Sequence, residues 1–281
     1  MGILHQMSSY VSCSKKVDLN NKLVLITGGS SGIGLGFCNQ LSKTYPQVTL
    51  VVVDIHKPSF ECIYFKCDLS KSEQVKEIFA RILEKHGVPD IIVFNAGVQH
   101  SALIDEVTDE QFERIIDVNF KNIFFALRPF LSGLKERKRG HLIFTCSVAS
   151  FVTAPGGIAY SASKAAQLSF ANGIRAELHE YGVKVSTLSP GHIKTSMFRE
   201  FSIKYAWLMP SLEVNYVSNA IFDITQNNSH QQWRKPLYTV FGPLVLMLPP
   251  LWVLYIQKLS GADLSMIENK NAVDFELSKN K

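Results

Sequence analysis

Thr27-Gly28-Gly29-Ser30-Ser31-Gly32-Ile33-Gly34 follows an apolar run, Leu23-Val24-Leu25-Ile26, and opens a helical apolar pattern over residues 33–45. A buried strand that turns through glycines into a helix collects unpaired amides and the positive end of a helix dipole at one point. Small residues at 28, 29, 32 and 34 let the backbone approach a dinucleotide. The stretch Gly28, Ser30, Ser31, Gly32, Ile33 and Gly34 is therefore the candidate pyrophosphate-binding turn. A glycine-rich turn can also be a tight connection and nothing more. Asp54 favours the first reading, because it ends a second apolar strand about 20 residues on, where a carboxylate can accept from both ribose hydroxyls. The same carboxylate would repel a 2′-phosphate, so NAD is favoured and NADP is the alternative. His56 and Lys57 stand close enough to keep that alternative open.

Outward from this turn, short apolar strands alternate with longer helical patterns, the rhythm of a parallel sheet covered on both faces. Strands are expected at 23–26, 48–53, 62–65, 90–94, 141–146 and 183–188. Helices are expected at 33–45, at 73–86 with Ser70 or Ser72 as cap, and at 158–180. A long helical pattern over 110–138 is interrupted near Pro129. The fold class read from this pattern is α/β, a Rossmann-type doubly wound parallel sheet in one domain, with an apolar C-terminal extension. Residues 1–20 read as a loose polar arm, 21–242 as the domain, and 243–281 as an apolar helix with a polar tail.

The bulk properties are consistent with this. In 281 residues, 46% hydrophobic and 19% charged, there is material for a large core. The net charge of +5 is spread along the chain, and its clearest cluster, Lys135, Arg137, Lys138 and Arg139 around Glu136, reads as a solvated helix C-terminus. No aromatic-and-basic motif for nucleic acid is present, so nucleic acid is not an expected partner. Five cysteines without CxxC or zinc spacing, and without a secretory signal pattern, read as reduced thiols in a cytosol-facing protein. Cys146 reads as a small buried strand residue, and no metal site is expected.

A second motif, Tyr160-Ser161-Ala162-Ser163-Lys164, puts a phenol and an ammonium one helical turn apart on one face. A free phenol, with a pKa of about 10, is a poor base at neutral pH. A neighbouring cation is expected to lower that value toward the working range. Ser147 ends an apolar strand at the sheet edge where ligands gather, and can hydrogen-bond a substrate oxygen. Each of the three residue types is common in ordinary structural positions. Their order behind a dinucleotide turn is what points to alcohol/carbonyl redox chemistry.

On these motifs the chain resembles the short-chain dehydrogenase/reductase family, from about residue 21 to 195. The family's TGxxxGxG is matched by Thr27, Gly28, Gly32 and Gly34, and its NNAG by Phe94-Asn95-Ala96-Gly97, with Phe94 in place of the usual Asn. The resemblance implies a catalytic tetrad of Asn119, Ser147, Tyr160 and Lys164. Tyr160 would be the general acid/base, and Lys164 would hold the nicotinamide ribose. Ser147 would orient the substrate oxygen, and Asn119 would anchor a relay water. It also implies that Asp68 lies near the adenine, that Asn95 lies beside the cofactor, and that Ile193 and Thr195 hold the carboxamide and phosphates after Pro190-Gly191. Family members associate through the helices at 110–138 and 158–180, so a homodimer or homotetramer is expected.

The last part of the chain differs in character. Residues 197–209 are rich in Met and aromatic side chains, within a segment (195–212) read as a substrate lid. Residues 237–257 contain no charged side chain, with Arg234 and Lys235 before and Lys258 after. Within it, residues 244–256 are fewer than the roughly 20 needed to span a bilayer, and Pro249-Pro250 would break them. Residues 237–241 read as the last strand. The remainder reads as an interfacial segment anchored by Trp252 and Tyr255, or as a helix packed on protein. The pattern is similar to the membrane- and lipid-droplet-associated retinol and 17β-hydroxysteroid dehydrogenases. That resemblance implies a hydrophobic alcohol or ketone (a retinoid, steroid or long-chain lipid) and a place on the cytoplasmic side of the endoplasmic reticulum or a lipid droplet. The readings that compete with it are an NADPH-dependent ketoreductase of keto-lipids and a dinucleotide-binding protein without catalysis.

Overall fold

The computed structural model describes residues 16–194, 210–228 and 230–260. Seven strands form one sheet, β1 (Leu23–Thr27), β2 (Thr49–Asp54), β3 (Ile63–Lys66), β4 (Ile91–Phe94), β5 (His141–Thr145), β6 (Lys184–Pro190) and β7 (Gln232–Lys235). Their order is β3-β2-β1-β4-β5-β6-β7, and every pair is parallel. The chain winds outward from β1 to one side and then from β4 to the other. The crevice between β1 and β4 is the topological switch point where ligands of such sheets bind.

Side-chain alternation along the strands explains why the sheet is covered twice. Leu25, Val51, Val53, Ile92 and Phe94 enter one core with Phe79, Ile82, Phe130 and Leu168. Val24, Ile26, Val52, Ile91 and Val93 enter the other, with Phe37, Leu41, Val217 and Ile221. The first core is roofed by α2 (Ser72–His86) and α6 (Ile158–Leu178), the second by α1 (Gly32–Thr44) and α7 (Val214–Asn227). Burying each large apolar side chain contributes about 1.5–3 kcal/mol, so two continuous cores hold the strand ends rigidly enough to aim side chains.

Several expectations need correction. The expected strand at 237–241 is a 3-10 turn, Leu237–Phe241, and the last strand lies earlier, at Gln232–Lys235. It pairs with β6 from Thr187↔Gln232 to Pro190↔Lys235, which uses up β6 before residue 237 is reached. Gln-Trp-Arg-Lys is an edge strand with little to bury, so its apolar signal was weak. The cap at the start of α2 is neither Ser70 nor Ser72. Lys71 holds that position without a side-chain cap, and Ser70 instead donates to Asp68.

The pattern over 110–138 is a chain of segments: α3 (Asp109–Ile116), a π turn at Asp117–Lys121, α4 (Asn122–Leu127), a 3-10 turn at Arg128–Phe130 around Pro129, and α5 (Leu131–Glu136). Thr108 caps α3 in a reciprocal capping box with Gln111. Arg137 is not a solvated cation. Its guanidinium donates to the carbonyls of Val88 (2.7 Å), Pro89 and Arg139 (2.9 Å), pinning the end of α5 to the entry of β4.

The apolar tail forms α8 (Gly242–Val245) and α9 (Pro250–Ser260), separated by the turn that Pro249-Pro250 imposes. No helix among the described residues is long and apolar enough to cross a membrane. The segment read as a substrate lid lies mostly outside the described residues, and Thr195 with it.

Candidate active site

The glycine turn begins where β1 ends. Gly28 has φ +71, and a Cβ there would sit 2.8 Å from the Ala96 Cα, so the turn lies directly on the end of β4. A Cβ on Gly34 would overlap the carbonyl oxygen of Gly28. Only glycine lets α1 start this close to the strand it follows. Gly32, with φ +51, has nothing within 4 Å of its Cβ position, so the outer side of the turn is open. Ser31 precedes α1 in extended conformation, no side chain caps the helix, and no acidic residue stands in its first turn. The first amides of α1 and its dipole are thus left for an external anion, which fits a pyrophosphate.

Asp54 at the end of β2 and Asn95 just past β4 hold this turn, while Asp68, just past β3, bonds with its own loop. The Asp54 carboxylate accepts from Ser30 N (3.0 Å) and His56 N (3.1 Å), and Ser30 Oγ donates to His56 O (2.6 Å). The end of β2 is thereby tied to the glycine turn. Asn95 Nδ2 donates to the carbonyls of Gly28 (3.0 Å) and Thr27 (3.4 Å), while Thr27 Oγ1 accepts from Asn95 N and Ala96 N (both 3.2 Å). Its side-chain donors are therefore spent on holding β1 to β4. Asp68 accepts from Ser70 N (2.9 Å) and Ser70 Oγ (2.8 Å); these bonds, with Arg114 and Lys71 nearby, outweigh its burial and hold its carboxyl below the usual range. Ile193 is buried and bridges to Leu212 beyond the Pro190-Gly191 turn.

The second motif lies at the carboxyl end of β5. Ser147 follows that strand and begins a short turn, its hydroxyl accepting from Ala149 N (3.1 Å). Tyr160 and Lys164 occupy the first two turns of α6, and both are buried. Tyr160 has a side-chain hydrogen bond with Ser147. Lys164 Nζ lies 5.8 Å from the centre of the Tyr160 ring and donates to Thr145 O (2.8 Å) and Gln167 Oε1 (3.0 Å). Gly97, just after β4, faces this group: a Cβ there would meet Lys164 Nζ and Asn119 Oδ1 at 3.4 Å. That is ordinary contact distance, so the fit to a dinucleotide rests on the open glycine turn at the same sheet edge.

The phenol is not lowered as the Tyr–Lys spacing suggested. Burial pushes Tyr160 up to about 12, and the Ser147 hydrogen bond is the influence that offsets it. The ammonium is drawn toward the Thr145 carbonyl and Gln167. Burial in turn pulls Lys164 down to about 8. Tyr160 is consequently a proton donor at neutral pH, and Lys164 is a cation poised near its own titration.

Asn119 sits in the π turn, fully buried. Its Oδ1 accepts from Val98 N (2.8 Å), and its Nδ2 donates to Val98 O (2.9 Å) and Ser163 Oγ (3.0 Å). The local widening of the helix admits this contact, and π bulges recur at functional sites for that reason. Cys146 is buried as expected but stands just past the end of β5 rather than in the strand, and burial pushes its thiol up to about 12, so it is inert. Ser163 and Gln167 belong to this constellation and were not singled out from sequence, whereas Thr27 and Gly97 entered there only as parts of motifs. A lone hydroxyl or amide carries no spacing signature of its own.

The sheet, the open glycine turn at its switch point, and a Ser–Tyr–Lys group at the same edge define a dinucleotide-dependent class of enzyme. Residues 22–206 match the short chain dehydrogenase family. The chain belongs to that family and is an oxidoreductase of it. It is 28% identical over 257 residues to an uncharacterized oxidoreductase of Saccharomyces cerevisiae, covering 86% of this chain and 83% of the other. It is likewise 28% identical to short-chain dehydrogenase/reductase 3 of Bos taurus (88% and 86% covered), and 27% identical to epidermal retinol dehydrogenase 2 of Mus musculus (85% and 82% covered). The family generally binds NAD or NADP.

Proposed function

We propose that the protein interconverts a hydrophobic alcohol and its carbonyl with NAD, using Tyr160, Lys164, Ser147 and Asn119. The observation that carries this reading is the burial of a hydrogen-bonded Tyr160–Ser147 pair and the Lys164 ammonium beside the Gly97 cradle. The bound nicotinamide supplies the hydride chemistry. Tyr160, protonated at rest, gives its proton to the substrate oxygen on reduction and takes it back on oxidation. Ser147 holds that oxygen, Lys164 binds the ribose, and Asn119 fixes the loop after β4. Gly28, Ser30, Ser31, Gly32, Ile33 and Gly34 cradle the pyrophosphate, Asp54 receives the adenine ribose, Asp68 lies near the adenine, Asn95 lies beside the cofactor, and Ile193 and Thr195 hold the carboxamide and phosphates.

NAD is preferred because the Asp54 carboxylate, fixed by two amides, leaves no place for a second phosphate. Its remaining lone pairs suit two hydroxyls. A hydrophobic substrate is supported by a pocket of about 310 Å³ lined by Leu103 and Ile104 from the chain after β4 and by Ala154, Pro155 and Ile158 from the segment that joins Ser147 to Tyr160, with Asp105, Thr153 and Gln257 also on its wall. The kinship with a protein named retinol dehydrogenase agrees with it.

The same reading places α8 and α9 in a membrane interface on the cytoplasmic side of the endoplasmic reticulum or a lipid droplet. Leu244, Leu246, Met247, Leu251, Trp252 and Tyr255 are exposed, Met247 by 80%. Arg234, Lys235 and Lys258 flank them, with no carboxylate between Asp223 and Asp263. Phe112 and Phe124, exposed on α3 and α4, suit a homodimer or homotetramer contact.

Fluorescence titration with NADH and NADPH, followed by a panel of retinoid, steroid and long-chain alcohols and ketones, tests the proposal. NADH should bind more tightly, Asp54→Ser should reverse the order, and Tyr160→Phe should abolish turnover while retaining binding. Failure to bind either coenzyme would sink it, and turnover of polyols alone would remove the hydrophobic substrate.

A further inference from the structure

We infer that Gln167 is a positioning residue for the proposed chemistry, a clasp that fixes the Lys164 ammonium so that one N–H remains for the site. This rests on the catalytic group proposed above. An ammonium has three donors and no acceptor. Two of those of Lys164 are committed inside the protein, to Thr145 O at 2.8 Å and Gln167 Oε1 at 3.0 Å. The first acceptor is backbone and comes with the sheet. The second is a side chain that an apolar residue could replace at no cost to the helix.

Gln167 is an expensive choice for its surroundings. It is fully buried on α6, and its Nε2 has no hydrogen-bond partner among the described residues. A buried donor left unmet costs stability, and leucine of similar size would avoid that cost. The amide makes one contact that leucine cannot, and it is with the cation. The titratable groups that face Lys164 are Tyr160 on its own helix and Cys146 at the end of β5; Asn119, from the π turn, is neutral. The ammonium therefore has no carboxylate among these neighbours, and neutral acceptors keep it charged in a dry place. Burial already draws Lys164 down to about 8, so losing an acceptor matters most above neutral pH.

The test compares the wild type, Gln167→Leu and Gln167→Glu by thermal melting, by NADH titration from about pH 6 to about pH 10, and by the pH profile of kcat/KM. A hydrogen bond to a charged group changes an equilibrium by about tenfold or more. Gln167→Leu should melt at or above the wild-type temperature, yet bind NADH about tenfold more weakly near pH 8, with the gap widening as pH rises. Gln167→Glu, which offers Lys164 a charged acceptor, should carry tight binding to higher pH than the wild type. A Gln167→Leu protein that melts lower but keeps the wild-type binding and pH profile would show a structural role only and overturn the inference. Should that variant not fold, a Gln167→Glu protein with an unshifted pH profile would overturn it equally. If the wild type binds no nucleotide, the catalytic assignment itself fails and takes the clasp with it.

Discussion

Asn119 grips both backbone groups of Val98, accepting from its N–H at 2.8 Å and donating to its carbonyl at 2.9 Å. One amide side chain thus replaces a strand partner for the loop that leaves β4. It does so from a π turn that also reaches Ser163. The loop after β4 carries Gly97, so the shape of the cradle beside Lys164 depends on this contact.

Asn119→Ala should therefore cost stability as well as activity. Val98 N and Val98 O, both part-buried, lose their partner, at about 1–3 kcal/mol for the one less able to reach water, while Ser163 Oγ keeps its bond to Tyr160 O. Denaturant melts should show a lower midpoint with an unchanged slope. Asn119→Asp keeps the acceptor for Val98 N but sets a buried carboxylate oxygen against Val98 O, so it should not restore the lost stability. An alanine variant as stable as the wild type would contradict the grip.

Gly34 and Gly32 should respond differently to alanine. At Gly34 the new methyl overlaps the Gly28 carbonyl, so strand and helix must separate; loss of several kcal/mol is expected, with little folded protein recovered. At Gly32 the methyl meets nothing, and the cost is that of φ +51, about 1–2 kcal/mol. Gly32→Ala should fold and lose coenzyme affinity, which calorimetric titration would read directly.

Ser147→Ala should move the pH dependence of the oxidation direction. The Ser147 hydrogen bond is what holds the Tyr160 phenol from rising further than about 12. Without it less phenolate exists at any given pH, and the rising limb of kcat/KM for alcohol oxidation should shift to higher pH. Tyr160→Phe should lose about 10²–10⁴-fold in both directions. An oxidation profile unchanged in Ser147→Ala would remove Ser147 from the proton path.

Acid sensitivity should come in part from His141, far from the site in function. Burial pulls its imidazole down to about 3, its Nε2 meets Ser186 Oγ at 2.9 Å, and its Nδ1 has no partner among the described residues. Below about pH 6.5 the unfolded chain binds a proton that the folded one refuses, so stability falls as pH drops from there toward 3. At about pH 5 this one group should account for roughly 2 kcal/mol. His192 and His230 shift the same way and add to the slope. His141→Phe should flatten the stability–pH curve between about pH 7 and about pH 5 in denaturant melts. A slope equal to the wild type's would refute it.

The amino-acid sequence alone determined what depends on local order: the apolar strand before Gly28, the helical pattern after it, Asp54 closing β2, and the i, i+4 spacing of Tyr160 and Lys164. Strand period and helix period are properties of neighbours, so the doubly wound sheet was readable from them. Tertiary structure decided what depends on distant partners. Gln232–Lys235 became the last strand because β6 offered its edge there, and 237–241 was left to turn. Asn95 was spent on joining two strands, and Lys164 turned toward Thr145 and Gln167, because buried donors must find acceptors wherever the fold puts them. The acidity of Tyr160 was decided last of all, since burial set against one hydrogen bond is a balance that no spacing encodes.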